Sequence, residues 1–258
     1  MKRRQFVRYA GAGALTSLGL GFTSELFPAQ AQAGGLSVQW LGHTCFLFSG
    51  AGKRILVNPF RSLGCTSGYR PPKVAADLVM ISSQLLDEGA VEILPGNPRL
   101  LYEPGVYQLS GTQIEGIRTD HDLLGGKRFG VNVVWKWQQG GINILHMGGA
   151  AAPITVEQKI LMGRPDLLLI PVGGGPKAYD PQAAKQAIDI LQPKVIVPTQ
   201  YLTQGANKDR ARCDLVAVDN FLSVMGGTPV RRVGNSISLS SRDLPANGMV
   251  INVMSYSF

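Results

Sequence analysis

Three histidines, His43, His121 and His146, are the only imidazoles in the chain, which excludes a multi-metal centre built chiefly on imidazole. The adjacent carboxylates Asp87 and Glu88 supply oxygen donors. With His121 they could hold a single zinc, manganese or iron ion in a mixed oxygen and nitrogen site near Gln200, where a bound water would be activated for hydrolysis. A second arrangement, His43 with His121 and His146, is chemically adequate for a catalytic zinc if the three rings converge. Against both stands the ordinary use of such histidines, a hydrogen bond that holds a loop. Spacing alone does not choose among them.

Other chemistries fit less well. In Gly64-Cys65-Thr66-Ser67-Gly68 the serine falls one place late for a nucleophile elbow and no strand runs into it, so the segment reads as a turn. Cys45 alternates with apolar neighbours and reads as a buried small hydrophobe. With Cys65 and Cys213 it makes three scattered cysteines and no CxxC pair, too few for a disulfide framework. Gly173-Gly174-Gly175 follows a strand, but the helix after it opens at Asp180, whose charge disfavours an anion there. It reads as a loop at a pocket rim.

The elements that must position these residues are legible. Strands are expected over 36–41, 44–48, 54–58, 78–82, 113–118, 131–137 and 142–146, each rich in β-formers and bounded by Gly or Pro. Trp135 and Trp137 flank Lys136 and should pack one sheet face. From Thr155 the pattern alternates helix and strand. Thr155 and Gln158 form a capping box for a helix over 156–162, and Asp180-Pro181 starts a second helix that runs to Pro193. A third is expected from Asp214 to Met225, with strands at 167–170, 195–197, 236–239 and 250–253. No repeat of fixed period is visible.

At 45% hydrophobic and 16% charged, the chain can bury one sizeable core and is not a disordered scaffold. Residues 1–33 read as an export signal, with Lys2, Arg3, Arg4 and Arg8 ahead of a small-residue apolar stretch and Ala29-Gln30-Ala31-Gln32-Ala33 as the cleavage region. Lys2-Arg3-Arg4-Gln5-Phe6-Val7 resembles a twin-arginine signal, which implies folding before export to a periplasm or thylakoid lumen. Residues 34–258 are then the single mature domain, and its net charge falls from +8 to +5. The basic run Lys208-Asp209-Arg210-Ala211-Arg212 has no interleaved aromatics and reads as a solvated loop, so no nucleic-acid partner is expected. No permanent transmembrane helix is expected either.

Seven blocks in order carry a family resemblance. They are Trp40-Leu41-Gly42-His43-Thr44-Cys45-Phe46-Leu47, Lys53-Arg54-Ile55-Leu56-Val57-Asn58-Pro59-Phe60, Asp77 to Ser82, Thr119-Asp120-His121-Asp122, Ile144-Leu145-His146-Met147-Gly148-Gly149, Pro165 to Gly174 and Pro193 to Tyr201. Together they resemble the metallo-β-lactamase fold superfamily, in particular its lactonase-like metal-dependent hydrolases, over residues 36–201. The resemblance implies an α/β fold, a four-layer αββα sandwich, and two metals held at seven positions.

Here those positions read Ser83, Leu85, Asp87, Glu88, His121, Gly149 and Gln200, so only Asp87 and His121 keep the family residue. Asn58 replaces a supporting aspartate. Leucine cannot ligate a metal and glycine has no side chain, so the family's two-metal cage cannot form at these positions. With the export signal, the resemblance therefore implies an exported protein with the old cleft and a lost metal centre, a pseudoenzyme that acts as a binding or assembly factor for an unidentified small molecule or protein. The alternative is a divergent metal-dependent hydrolase with catalytic His121 and Asp87. In either case His43, Asn58, Ser83, His146, Gly149 and Gln200 are expected at the pocket.

Overall fold

The computed structural model describes residues 34–109, 111–206 and 213–257, all within one compact unit. The expected export signal, the basic run at 208–212 and Phe258 lie outside the described residues.

Two sheets face each other. In the first, β1 (Leu36–Gly42), β2 (Cys45–Gly50) and β3 (Lys53–Val57) form an antiparallel meander, continued by β4 (Leu78–Met80) and β5 (Arg99–Leu101) in parallel. The late strand β13 (Ser236–Leu239) pairs with β1. The second sheet begins with β6 (Gly105–Leu109), β7 (Thr112–Asp120), β8 (Val131–Gln139) and β9 (Ile142–His146), all antiparallel. It continues in parallel through β10 (Leu167–Pro171), β11 (Val195–Thr199), β14 (Val250–Met254) and β12 (Val230–Val233).

Strand chemistry follows this placement. On β2, Phe46 and Phe48 point into the core between the sheets, while Cys45 and Leu47 join a smaller cluster with Phe60 and Tyr69 on the other face. Strands β10 and β11 are buried along their whole length, as parallel strands covered on both faces must be. Two side chains tie the sheets across the core. Trp135 Nε1 donates to the Ile81 carbonyl at 3.2 Å, and Gln139 Nε2 donates to the carbonyls of Gly50 and Lys53, each at 3.0 Å.

The helices are short. In α1 (Val156–Met162) the Thr155 and Gln158 side chains close the expected capping box. For α2 (Pro181–Leu191) the Asp180 side chain accepts from Ala183 N at 2.7 Å, and Ala184, Ala187, Ile188 and Leu191 are buried. The α3 helix (Val218–Val224) starts later than its sequence pattern suggests. The preceding residues are pulled into extended pairing, with Val216 N donating to the Gly173 carbonyl and the Val216 carbonyl accepting from Leu202 N, each at 2.8 Å. Among the described residues the outer face of the first sheet is covered by loops and 3-10 turns at Gly64–Thr66 and Val91–Ile93, not by an α-helix.

The cysteine count misleads. Cys65 and Cys213, 148 residues apart, form a disulfide with a Cα separation of 4.9 Å. The loops after β3 and β11 meet in space, where Gly68 N donates to the Gly205 carbonyl at 2.6 Å and the Tyr69 hydroxyl pairs with Thr203. Sequence spacing carries no trace of that meeting. The C-terminal tail docks on the same region, with Tyr256 set edge-on to Tyr69 at 4.9 Å between ring centroids.

Candidate functional site

The strand ends of both sheets converge where the family positions were expected. Among the described residues five non-glycine residues have positive φ, and three of them, His43 (52°), Asn58 (53°) and Gln200 (50°), sit at this edge. Asn and His tolerate the left-handed region better than most residues and Gln does not, and three such residues gathered at one edge are typical of a site whose geometry the surrounding fold enforces. The scaffold of a site is retained here, whatever its side chains do.

Those side chains fall into two groups. Asp87 is taken by Lys177, which forms an ion pair with Oδ2, while His43 Nε2 stands 3.9 Å from the same oxygen. Burial alone would raise the Asp87 pKa, but the Lys177 ammonium, with help from His43, outweighs it and holds the carboxyl below its usual range. Burial also keeps His43 neutral down to about pH 4, against the pull of Asp87 and with the field of Lys177 adding to it. Sequence reasoning missed Lys177. It lies 90 residues from its partner in the glycine-rich loop after β10, with no motif around it.

The second group is fully buried. Ser83 Oγ donates to Glu88 Oε2 at 2.8 Å, and His121 Nε2 lies 3.5 Å from that same oxygen. A β-carbon at Gly149 would fall against His121 Nε2 and Glu88 Oε1, so glycine is needed for these two side chains to close in over it. Asn132 holds that glycine in place. Its Oδ1 accepts from Gly149 N at 2.9 Å, and its Nδ2 donates to the Met147 carbonyl and Thr119 Oγ1.

The remaining predicted residues have structural partners. His146 Nδ1 accepts from Gly148 N at 3.1 Å, so its Nε2 carries the proton and donates to the Thr44 carbonyl at 3.0 Å. Both ring nitrogens are engaged, which removes His146 from any three-histidine site. Burial keeps it neutral to about pH 4 despite the bond to the Thr44 carbonyl. Asn58 Oδ1 accepts from Ser82 N at 2.8 Å and fixes the strand end that leads to Ser83. Gln200 is buried, and its carbonyl packs against Gly173.

The expected single-ion site of Asp87, Glu88 and His121 is not assembled. The two neighbouring carboxylates serve different partners, and no three His, Cys, Asp or Glu side chains among the described residues are grouped to hold a metal. A lysine on one ligand position and a collapsed pair over Gly149 do not fit a dinuclear cage. What the arrangement does offer is unsatisfied polarity. Glu88 Oε1, both nitrogens of His121, Gln200 Oε1 and His43 Nε2 are buried without a hydrogen-bond partner, which is unusual enough in folded proteins to call for a ligand, a water or a function. At Ser83, which bonds Glu88, opens a cavity of about 400 Å³ lined also by Leu85, Tyr102, Glu103, Arg118, Phe129 and Val131.

The domain family described as Beta-lactamase superfamily domain matches residues 37–200, from the first strand to the buried glutamine. The chain belongs to this superfamily. A protein from Thermotoga maritima, named a candidate Zn-dependent hydrolase of the metallo-β-lactamase superfamily, is 30% identical, with a TM-score of 0.67 over 85% of this chain and 100% of its own. A protein of Thermococcus onnurineus named UPF0173 metal-dependent hydrolase is 28% identical over 65% of this chain and 85% of its own. Another from Thermoplasma acidophilum, named in the same way, is 24% identical over 65% and 84%. Relatives of this beta-lactamase superfamily chain are thus named metal-dependent hydrolases.

Proposed function

We propose that this chain is an exported binding protein on a hydrolase scaffold, which holds a small molecule in the cleft that opens at Ser83, next to the buried Glu88 and His121. One observation carries the reading: Lys177 takes Asp87 in an ion pair, and Ser83 and His121 close on Glu88 Oε2, in place of three or more side chains grouped around an ion. Ser83, Gln84 and Tyr102 in the cleft lining supply hydrogen bonds for a ligand, and Leu85, Phe129 and Val131 supply an apolar wall. Arg118 on the rim suits an anionic group. Export is supported by the twin-arginine-like start and by the Cys65–Cys213 disulfide, since such bonds persist in oxidising compartments.

A second reading, metal-dependent hydrolysis, is favoured by the names of the relatives and by one detail. Glu88 Oε1 and His121 Nε2 have no hydrogen-bond partners and face the same point over Gly149. They make two donors, and a third from Asp87 would have to be freed from Lys177. Elemental analysis of the purified full chain, with melting curves with and without chelator, separates the two readings. The binding reading expects no stoichiometric zinc, manganese or iron and a melting temperature indifferent to chelator. One equivalent of metal that disappears in His121→Ala would establish the hydrolase reading instead.

A further inference from the structure

The loop between β7 and β8 has an unusual construction. Asp122 is buried, and its carboxylate accepts four backbone N–H groups: Leu124 and Gly126 on Oδ1 at 2.7 and 3.0 Å, Arg128 and Phe129 on Oδ2 at 2.9 and 2.8 Å. Gly130 N donates to the Gly126 carbonyl and His121 N to the Gly130 carbonyl, which closes the loop on itself. This internal clamp holds Leu123 and Leu124 outward, 75% and 61% exposed. A folded chain gains nothing in water by ordering ten residues so as to display two leucines.

The apolar tip does not stand alone. The α1 helix lies beside β7, where Gln158 Nε2 donates to the Arg118 carbonyl at 2.8 Å, and it leaves Val156 and Ile160 more than 70% exposed. The charges on and beside these segments are mixed with a small positive excess that is concentrated in the loop: Arg118 on β7, Lys127 and Arg128 in the loop and Lys159 on the helix, against Glu157, the half-buried Asp120 and Glu103 across the cavity from Arg118. The Arg128 guanidinium lies over the Phe129 ring at 4.8 Å, which stiffens the base of the tip.

We infer that this face, the Leu123-Leu124 tip with α1 and the cations of the loop, docks the protein on an anionic lipid surface. Protruding leucines enter the acyl boundary while lysine and arginine meet the headgroups, and both contributions are needed where neither is large. A clamped loop inserts without losing further backbone freedom, which favours binding. A flat protein partner would leave a two-residue protrusion poorly packed, whereas a bilayer accommodates it. Docked in this way, the cavity between Ser83, Arg118 and Phe129 opens close to the lipid, so this inference is independent of what the cleft does but bears on how a ligand reaches it.

Vesicle sedimentation of the full chain tests it, with phosphatidylcholine vesicles containing or lacking phosphatidylglycerol. The wild type should bind only the anionic vesicles and less well at high salt. Leu123→Ser/Leu124→Ser and Lys127→Glu/Arg128→Glu should each weaken partitioning at least about tenfold, while Val230→Ser, on the far edge strand β12, should not. Asp122→Asn keeps every leucine and cation but replaces an acceptor facing two amides, and should also weaken binding. Leu123→Trp should shift its emission to the blue on anionic vesicles, against a quiet background because Trp40, Trp135 and Trp137 are all buried. Binding that ignores both double substitutions, equal binding to neutral vesicles, or a solution dimer that the leucine substitutions dissolve while vesicles are ignored would overturn the inference.

Discussion

At the scale of single residues, two buried histidines should set the acid sensitivity of the fold. Both His43 and His146 stay neutral to about pH 4 inside the protein because burial penalises the imidazolium. In the unfolded chain each takes up its proton near pH 6.5, so across that window the unfolded state binds more protons. Stability is therefore complete above the window and is lost as pH falls from about 6.5 to about 4, by at most roughly 3 kcal/mol per histidine. Asp87, held low by Lys177, adds a further loss only below the ordinary carboxylate range. Urea midpoints measured from pH 7 to pH 4 should fall, and His146→Leu should flatten that slope by about half. The same variant should be less stable at every pH, since the Thr44 carbonyl and the Gly148 N–H lose their partner. An unchanged slope would mean that His146 is already charged in the fold. A motif register names the residues of the site one by one, and of these Ser83, Glu88, His121 and Gly149 lie together in the fold. What no register reveals is a partner from an unmotived stretch. Lys177 and Asn132 came to light only through distance.

At the scale of elements, alternation and capping chemistry located most strands and the first two helices, because each carries its own period or cap within a few residues. Strands β5, β6 and β12 were not legible. Arg99, Leu100, Gly105, Val106, Val230 and Arg231 are exposed, so no buried face imposes a two-residue period on those sequences. The head of α3 was lost to tertiary pairing with Gly173 and Leu202, which no local propensity encodes. The disulfide belongs to this scale as well, since it joins the loops after β3 and β11 over a closed length of 148 residues. Chain-entropy arguments put a cross-link of that span at about 3–5 kcal/mol, less any structure that survives in the reduced unfolded chain. Reduction with dithiothreitol, or Cys65→Ser/Cys213→Ser, should lower the urea midpoint by about 2–4 kcal/mol equivalent while leaving far-ultraviolet dichroism intact. A reduced protein as stable as the oxidised one would show that Gly68, Tyr69 and their partners already hold the loops without sulfur.

At the scale of the whole molecule, the two sheets stay together through one continuous apolar core, with one polar tie from the middle of β8 and one from its C-terminal end. Trp135 reaches the Ile81 carbonyl beside the site, and Gln139 reaches the turn between β2 and β3. A carbonyl stripped of its donor inside the core costs more than the bond was worth, because water cannot replace it. Trp135→Phe and Gln139→Ala should therefore each cost about 1–3 kcal/mol, or about 2–4 °C of melting temperature per kcal/mol in a domain of this size. The two positions are four residues apart on one strand, about 13 Å, and share no partner. If the sandwich opens as one unit, the double variant should lose the sum of the single losses within about 0.5 kcal/mol, in a single transition seen alike by fluorescence and dichroism. A shortfall or a split transition would mean that the sheets part at one end first. The end that frees Ile81 is the end where Ser82 and Ser83 lead into the cleft, so such a split would couple the opening of the core directly to the site.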